Sequence, residues 1–301
     1  MKRYFSLLLW LCGCFLTLNA QESFCYVQRD STELEMNLYH AGDNANGYCV
    51  LYVFGGGFSS GSIHSKGNIS YFHELSELGY DVAAIDYRLG MKGVRFTHKL
   101  GMIPTIENAI RMAVEDCSAA VAFLVGHADS LGIQPDKIIA CGSSAGAITV
   151  LQCDYCRANH SDWTAELPEG FKFAGVVSYS GGIFSREGKV DYQESPAPTL
   201  FAHGTNDKIV NYNKIQFLNL GMFGTKSLVP RFQKYNFPYF AIHYDGLGHD
   251  VAGFGSRTLP EFQWFTEEYL KNGRALSIDS HREEDGYVMP SWALKNTKDI
   301  Y

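Results

Sequence analysis

The amino-acid sequence predicts an α/β protein built on an open, mostly parallel sheet. Short, almost continuously apolar runs recur along the chain, which is typical of strands buried on both faces. Between them lie stretches with an apolar residue every three or four positions, typical of helices that pack one face against a core. This alternation predicts right-handed crossovers, with helices on both faces of a twisted sheet. The 301 residues, 46% of them hydrophobic, suffice for a large core.

A leader precedes the predicted domain. Residues Met1 to Ala20 combine basic Lys2 and Arg3 with an apolar run that ends at a small residue. The run is too short to cross a bilayer, so the pattern is typical of a secretory signal peptide. We therefore expect cleavage after Ala20 and a secreted or periplasmic protein. Two alternatives stay open: a transmembrane anchor, and a lipoprotein acylated at Cys14, whose neighbours loosely resemble a lipobox.

An antiparallel hairpin is predicted directly after the leader. Residues 25–30 and 34–41 alternate apolar and polar side chains around a turn at 30–32. Six buried strands are then expected, at Tyr48 to Phe54, Tyr80 to Ile85, Lys137 to Cys141, Phe173 to Tyr179, Pro198 to Ala202 and Tyr239 to His243. Helices are expected at Tyr71 to Leu78, Thr105 to Ser130, Ala145 to Asn159, Lys214 to Phe223 and Pro260 to Lys271. No repeat or linker divides the chain, so we predict one domain over 21–301, with 273–301 as a wrap or loosely held tail.

Charge and cysteine usage exclude several classes of protein. The chain has 25 Lys and Arg against 32 Asp and Glu, a net charge of −7, which argues against nucleic acid as a partner. After the leader, no apolar run is long enough for a stable membrane span. Eight cysteines are too few for a disulfide scaffold, although one bridge between Cys25 and Cys49 is left open. The sequence indicates no oligomeric state.

A metal site is considered at three residues of one predicted helix. Cys153, Cys156 and His160 lie at positions i, i+3 and i+7, which share a helix face. No second group of ligands is evident, and cysteine is among the most often buried residue types. Two packed thiols and a surface histidine are therefore the preferred interpretation, and we expect neither a metal nor a cofactor.

The candidate nucleophile is Ser144, in the G-x-S-x-G motif of residues 142–146. The motif follows one predicted strand directly and opens a predicted helix, the context that a nucleophile elbow requires. Gly142 and Gly146 remove side chains that would collide in such a sharp turn. The N–H of Ala145, at the start of the helix, is expected to donate to an oxyanion.

A second set of oxyanion donors is expected in the loop of Gly55, Gly56 and Gly57, after the first buried strand. Consecutive glycines cost conformational entropy and are typical of places where backbone amides approach another group closely. We expect the amides of Gly56 and Gly57 to act together with that of Ala145.

The remaining members of a triad are sought near the ends of the last strands. A serine needs a base, and the base needs an orienting carboxylate. His249 lies in a glycine-rich loop after the last predicted strand, and Asp207 follows the preceding strand by a short loop. His203 and His243 fall at or within strands and are expected to be packed. The triad would therefore consist of Ser144, Asp207 and His249.

These motifs together resemble the esterase/lipase branch of the α/β-hydrolases that carries an HGGG-type oxyanion loop. The resemblance is to hormone-sensitive-lipase-like and feruloyl or acetylxylan-type carboxylesterases. The matching stretches, between Tyr48 and Lys271, are FGGGFSSGS, AAIDYRLG, VEDCSAAVAFL, GSSAGA, HGTNDKIV and GLGHD. The Ser, Asp, His order is also that of the family. Phe54 replaces the usual His of HGGG, which puts the geometry of that loop in question. Residues 86–88 and 115–116 match positions expected to form an ion pair or to anchor a loop.

The resemblance implies an α/β-hydrolase fold and a secreted serine carboxylesterase that forms an acyl-enzyme on small-molecule or polysaccharide-linked esters. Phe58, Tyr179, Phe184 and Tyr244 are candidates for lining its pocket, although aromatics are usually core residues. One alternative is a peptidase of the prolyl-oligopeptidase type, disfavoured by the short segment before the first core strand. Another is a non-catalytic binding protein that retains the fold, disfavoured because all three triad candidates are present. A lipase with a lid is less expected, since no long insertion separates Ser144 from Asp207.

Overall fold

The computed structural model describes residues 21–94 and 99–295. The twelve strands of this part of the chain are β1 (Gln21–Arg29), β2 (Thr32–Tyr39), β3 (Cys49–Val53), β4 (Asp81–Ile85), β5 (Ile138–Ser143), β6 (Gly175–Tyr179), β7 (Gly182–Ser185), β8 (Thr199–Gly204), β9 (Lys214–Phe217), β10 (Leu220–Gly224), β11 (Tyr239–Tyr244) and β12 (Ser277–Arg282). The helices are α1 (Lys66–Glu77), α2 (Lys99–Gly126), α3 (Ala128–Leu131), α4 (Ala145–Ala158), α5 (Thr225–Tyr235) and α6 (Leu259–Phe265), which continues as a π-helix over Thr266–Lys271. The leader, with its expected cleavage site at Ala20 and the alternative at Cys14, lies outside the described residues.

Nine strands form one twisted sheet in the order β1-β2-β4-β3-β5-β6-β8-β11-β12. From β4 to β12 all neighbours are parallel, whereas β1 and β2 form an antiparallel hairpin that joins the sheet along β4. The apolar runs predicted as strands are β3, β4, β5, β6, β8 and β11, and their side chains are buried almost throughout. The predicted α/β fold and its N-terminal hairpin are therefore confirmed.

One predicted helix, Lys214 to Phe223, is wrong. These residues form the β9–β10 hairpin, which pairs with β7 in a separate three-stranded sheet, and the helix α5 begins only at Thr225. The apolar residues of this run satisfy a helical period and an alternating period equally well. Pairing with β7 decides between the two, and Leu218 takes φ of 52° in the tight turn between the strands.

The predicted tail has a defined structure as far as residue 295. It supplies β12, which adds in parallel to β11 at the edge of the sheet. Beyond β12, buried Ala293 packs closely against the loop of His249. A Cβ at Gly248, the residue before the histidine, would lie only 2.1 Å from the Ala293 carbonyl oxygen. The tail is thus a strand and a wrap, and its described part is not loosely held.

The bridge left open between Cys25 and Cys49 is not formed. Both residues are free cysteines, the first exposed and the second buried. Strands β2 and β4 lie between the strands that carry them. Three strand spacings amount to about 14 Å, whereas a disulfide needs Cα atoms within about 7 Å. Among the described residues, no helix is both long enough and apolar enough to cross a membrane.

Candidate active site

Ser144 occupies a strained turn between β5 and α4. Its φ of 52° and ψ of −115° are unfavourable for a residue with a side chain. Its two flanking glycines admit no larger residue: a Cβ at Gly146 would lie 1.9 Å from the Val53 carbonyl oxygen, and one at Gly142 would lie 2.3 Å from that of Gly146. The local backbone therefore has the geometry that the G-x-S-x-G motif predicts for a nucleophile elbow.

Three side chains from three strand ends form one series of hydrogen bonds. The Oγ of Ser144 lies 2.7 Å from Nε2 of His249, and Nδ1 of His249 lies 2.7 Å from Oδ2 of Asp207. The serine follows β5, the aspartate follows β8 and the histidine follows β11, at the edge where parallel strands end. With Nδ1–H donating to the carboxylate, Nε2 is left to accept the serine hydroxyl. The structure thus brings together all three residues predicted as a triad.

Besides His249, several other groups hold the Asp207 carboxylate in place. Its Oδ1 accepts the backbone N–H groups of Ile209 and Val210, at 2.9 and 3.1 Å. Nε2 of buried His203 lies 3.3 Å from Oδ2. Burial raises the pKa of Asp207, but the hydrogen bonds of His203 and His249 outweigh it and lower the pKa to about 2. In the folded protein this carboxylate is therefore ionised at neutral pH.

His203 is a contact of Asp207 that sequence reasoning missed. It is packed, as expected, with Nδ1 2.9 Å from Oγ1 of Thr225 and Nε2 3.0 Å from the Val210 carbonyl oxygen. Its proximity to Asp207 has a sequence signal, because His203 lies near the end of β8 and Asp207 follows only four residues later, in the next loop.

The predicted oxyanion donors border the same cavity as Ser144. Gly56 and Gly57 have φ of 123° and 62°, and a Cβ at Gly56 would lie 2.1 Å from the Ser60 carbonyl oxygen. The loop lies close to Ser144, since a Cβ at Gly55 would be 3.2 Å from that of Ser144. Ala145 is the first residue of α4, where an N–H has no partner within the helix.

Phe54 stabilises the glycine loop by packing. Its ring is buried against that of Tyr87, with centroids 4.6 Å apart, and the Tyr87 hydroxyl donates to the Phe54 carbonyl oxygen at 3.1 Å. A Cβ at Gly61 would lie 2.6 Å from the Phe54 ring, so the far end of the loop closes over it. Phe54, packed on Tyr87, therefore occupies the position at which the family that this sequence resembles usually has a histidine.

The ion pair expected from the family resemblance is present behind this loop. Buried Asp116 accepts from the backbone N–H and from Nε of Arg88, at 2.8 and 2.9 Å. Arg29 adds a second guanidinium at 3.0 Å, and Glu115 pairs with Arg88 at 2.9 Å. The network connects β1, the loop after β4 and α2, and therefore has a structural role.

A cavity of about 750 Å³ opens above Ser144 and is lined mainly by apolar side chains. They come from the glycine loop, the loops after β4 and β8, β7, the β9–β10 hairpin, the start of α2, α4 and the tail. They are Phe58, Met91, Met102, Ile103, Ile106, Ile148, Phe184, Ile209, Val210, Ile215, Phe217, Leu220, Met222 and Trp292. Of the four aromatics proposed for the pocket, Phe58 and Phe184 line it, whereas Tyr179 and Tyr244 are core residues. Sequence reasoning missed the hairpin and Trp292 because it sought a covering insertion only between Ser144 and Asp207.

The metal hypothesis at the end of α4 is not supported. Cys153 and Cys156 are buried thiols: a hydrogen bond with Cys117 and then burial raise the pKa of Cys153 above the usual range, and burial raises that of Cys156. His160 lies beyond the helix end and 3.3 Å from Glu194. Within the described ranges, these three residues do not come close enough to hold one ion.

Comparison with known proteins agrees with this fold. The family model described as BD-FAE matches residues 36–181. "Lipase 2" of Moraxella sp. (strain TA144) is 34% identical over 98 residues, which make up 32% of this chain and 19% of that protein. The chain thus aligns with about a fifth of this relative.

Solved structures of Thermogutta terrifontis esterase 2 share the fold. The form phosphoramylated by tabun has 20% identity and a TM-score of 0.59, over 82% of this chain and 94% of the other. The butyrate-bound form has 19% identity and a TM-score of 0.57 over the same shares. The chain therefore resembles the esterase/lipase branch of the α/β-hydrolases in fold, and it matches the BD-FAE family model over residues 36–181.

Proposed function

We propose that this protein is a serine carboxylesterase that works through an acyl-enzyme. The observation that carries the proposal is the hydrogen-bonded series from Ser144 through His249 to Asp207, at the base of an apolar cavity. Ser144 Oγ attacks the ester carbonyl carbon while His249 Nε2 takes its proton. Asp207 holds the imidazole in place and stabilises the imidazolium that forms.

The oxyanion that develops on the carbonyl is stabilised by the N–H groups of Gly56, Gly57 and Ala145. His249 then gives its proton to the departing alcohol, and the carbonyl re-forms as an ester with Ser144. In the second step His249 deprotonates a water that attacks this ester, and Ser144 leaves with the returned proton. The products are the free acid and the regenerated hydroxyl.

The cavity favours esters with an apolar acyl group. Burying apolar surface contributes about 25 cal/mol per Å², and the hairpin and α2 present such surface directly above Ser144. Thermogutta terrifontis esterase 2 has been solved with butyrate and with propionate bound. We therefore propose acyl groups of several carbons or an aromatic acyl such as feruloyl as substrates, carried by a small alcohol or by a polysaccharide. An acetyl group would leave most of the cavity unfilled.

The decisive variant is Ser144→Ala, with exposed Ser130→Ala as the matched control. We expect the first to lower turnover of p-nitrophenyl butyrate by roughly 10³-fold or more and to abolish labelling by a fluorophosphonate probe. The control should retain both. Full turnover in a folded Ser144→Ala protein would refute the mechanism.

Two other outcomes would favour the alternative functions. Cleavage of peptide anilides without cleavage of any ester in an acetyl, butyryl, octanoyl and feruloyl series would indicate a peptidase. Absence of both labelling and turnover in the unmodified protein would indicate a binding protein that has kept the fold.

We also propose that the protein is exported. The support is the basic start and short apolar run of Met1 to Ala20, which match a signal peptide. Export would bring the enzyme to extracellular or periplasmic esters.

A further inference from the structure

A second cavity, of about 620 Å³ and polar in character, lies at the ends of β8, β11 and β12. The loop 205–213, which carries Asp207, borders this cavity as well as the one above Ser144. Apart from Asp207, no side chain that lines this second cavity takes part in the proposed esterase chemistry. The lining side chains include His243, Asp245, Asp279 and His281.

The sheet register places histidines side by side in this cavity. His243 on β11 pairs with His281 on β12, and residues opposite each other in parallel strands project from the same face. Their rings are stacked, with centroids 4.7 Å apart. Asp279, two residues before His281, projects from the same face and forms a hydrogen bond with Nε2 of His243. One ligand atom from each of the three residues lies within 4.8 Å of the others.

We propose that His243, Asp279 and His281 bind one divalent transition-metal ion, with Zn²⁺ as the expected occupant. Two imidazoles and one carboxylate suit zinc and its neighbours, whereas Mg²⁺ and Ca²⁺ prefer oxygen ligands alone. Water completes the coordination from the open cavity. Bond lengths of about 2.0–2.2 Å bring ligand atoms to roughly 3–3.5 Å from one another. The side chains of Asp279 and His281, 41% and 60% exposed, have the freedom to make this adjustment.

Surrounding groups orient both imidazoles as metal ligands require. The Tyr212 hydroxyl lies 2.8 Å from Nδ1 of His243, which directs Nε2 toward Asp279. Asp245 lies 3.0 Å from Nδ1 of His281. A carboxylate, backbone carbonyl or water on the second nitrogen of a ligating histidine is the usual arrangement in metal sites, and the Tyr212 hydroxyl takes that position on His243. Asp279 and His281 are exposed, so an ion can reach them from solvent. The His243 side chain is only 4% exposed and would be the buried, fixed ligand.

The test is calorimetric titration of the untagged chain with ZnCl₂. Cys12 and Cys14 of the leader and exposed Cys25 are replaced by Ser throughout, because free thiols also bind zinc, whereas the other described cysteines are buried. We expect one ion per chain, and at least a 10-fold loss of affinity in Asp279→Asn and in His281→Ala. His160→Ala is the matched control, since this histidine is equally exposed and also lies beside a carboxylate. It should bind zinc as the parent does.

Co²⁺ gives a second readout, through a visible d–d absorption that the two variants should lose. Zinc affinity unchanged in both variants, or no binding by the parent, would overturn the proposal. Mg²⁺ binding as tight as that of Zn²⁺ would also overturn it, because it would indicate only an acidic surface. None of these measurements depends on esterase activity, so the result is independent of the proposed function.

Discussion

At the residue scale, the least expected feature is how firmly Asp207 is fixed. Two backbone N–H groups and two histidines surround a carboxylate that is almost fully buried. A carboxylate that could rotate would let the His249 imidazole move away from Ser144, so these partners preserve the geometry of the proposed base. His203 is best described as a positioning residue, since Thr225 and the Val210 carbonyl hold its ring beside the aspartate and it has no contact with Ser144 or His249 among its hydrogen bonds.

Asp207 should make stability depend on pH in the acid range. Its pKa is lowered from 3.8 to about 2 in the folded protein. Its contribution is therefore present above pH 4 and is lost as the pH falls toward 2. The free energy of unfolding should drop by about 2 kcal/mol over this range through this group alone. Urea unfolding at pH 5, 4, 3 and 2 measures the drop.

Asp207→Asn should show a shallower decline than the parent, while Asp285→Asn, at an exposed site, should keep the parental slope. Identical slopes in all three proteins would contradict the assigned hydrogen bonds.

At the element scale, the β9–β10 hairpin is the segment that shapes the cavity. Ile215, Phe217, Leu220 and Met222 face the space above Ser144. The Phe217 side chain is nevertheless 69% exposed, so it lies at the rim and can become buried when an acyl chain binds. In the helix predicted here these four side chains would not share one face. The wall of the cavity could therefore not be predicted from that helix.

Phe217→Ser should therefore lower kcat/KM about 5- to 30-fold for p-nitrophenyl octanoate, the equivalent of about 1–2 kcal/mol of lost apolar contact. For the acetate ester the loss should be under about 2-fold, because that acyl group does not reach the rim. Leu218→Ser is the matched control: Leu218 is 79% exposed on the same hairpin but does not line the cavity. Equal losses for both esters, or the same effect from the control, would assign the hairpin a structural role only.

At the scale of the whole molecule, remote segments meet at one edge of the sheet. The proposed nucleophile, orienting acid and base follow β5, β8 and β11, and the tail brings Trp292 to the cavity above them. The same tail supplies β12, which carries two of the three proposed metal ligands. That residues 21–301 fold as one domain stays a prediction.

Export is the prediction that concerns the entire chain. Expressed with its leader in a bacterial host, the protein should leave the cytoplasm with Gln21 as its first residue, as intact mass spectrometry would show. Replacing Leu8 and Leu9 by Asp should keep it inside with the full mass. A mass that begins at an acylated Cys14 would indicate a lipoprotein, and an uncleaved membrane-bound chain would indicate an anchor.

The sequence by itself determined the α/β class, the N-terminal hairpin, the six central strands and the three residues that form the hydrogen-bonded series. These features are local: an apolar run, a period, or a glycine beside a strand end is enough to indicate them. Phe54 shows the limit of such reasoning, because only its packing on Tyr87 explains how the glycine loop is supported without the usual histidine.

The tertiary structure alone decided the features that depend on pairing between remote segments. Residues 214–223 form a hairpin because β10 pairs with β7, and part of the tail forms a strand because it pairs with β11. His203, His243 and His281 lie in one row only because three parallel strands share a register. Strand pairing joins residues far apart in sequence, and no local pattern specifies the partner. The walls of the cavity and the proposed metal site both arise in this way.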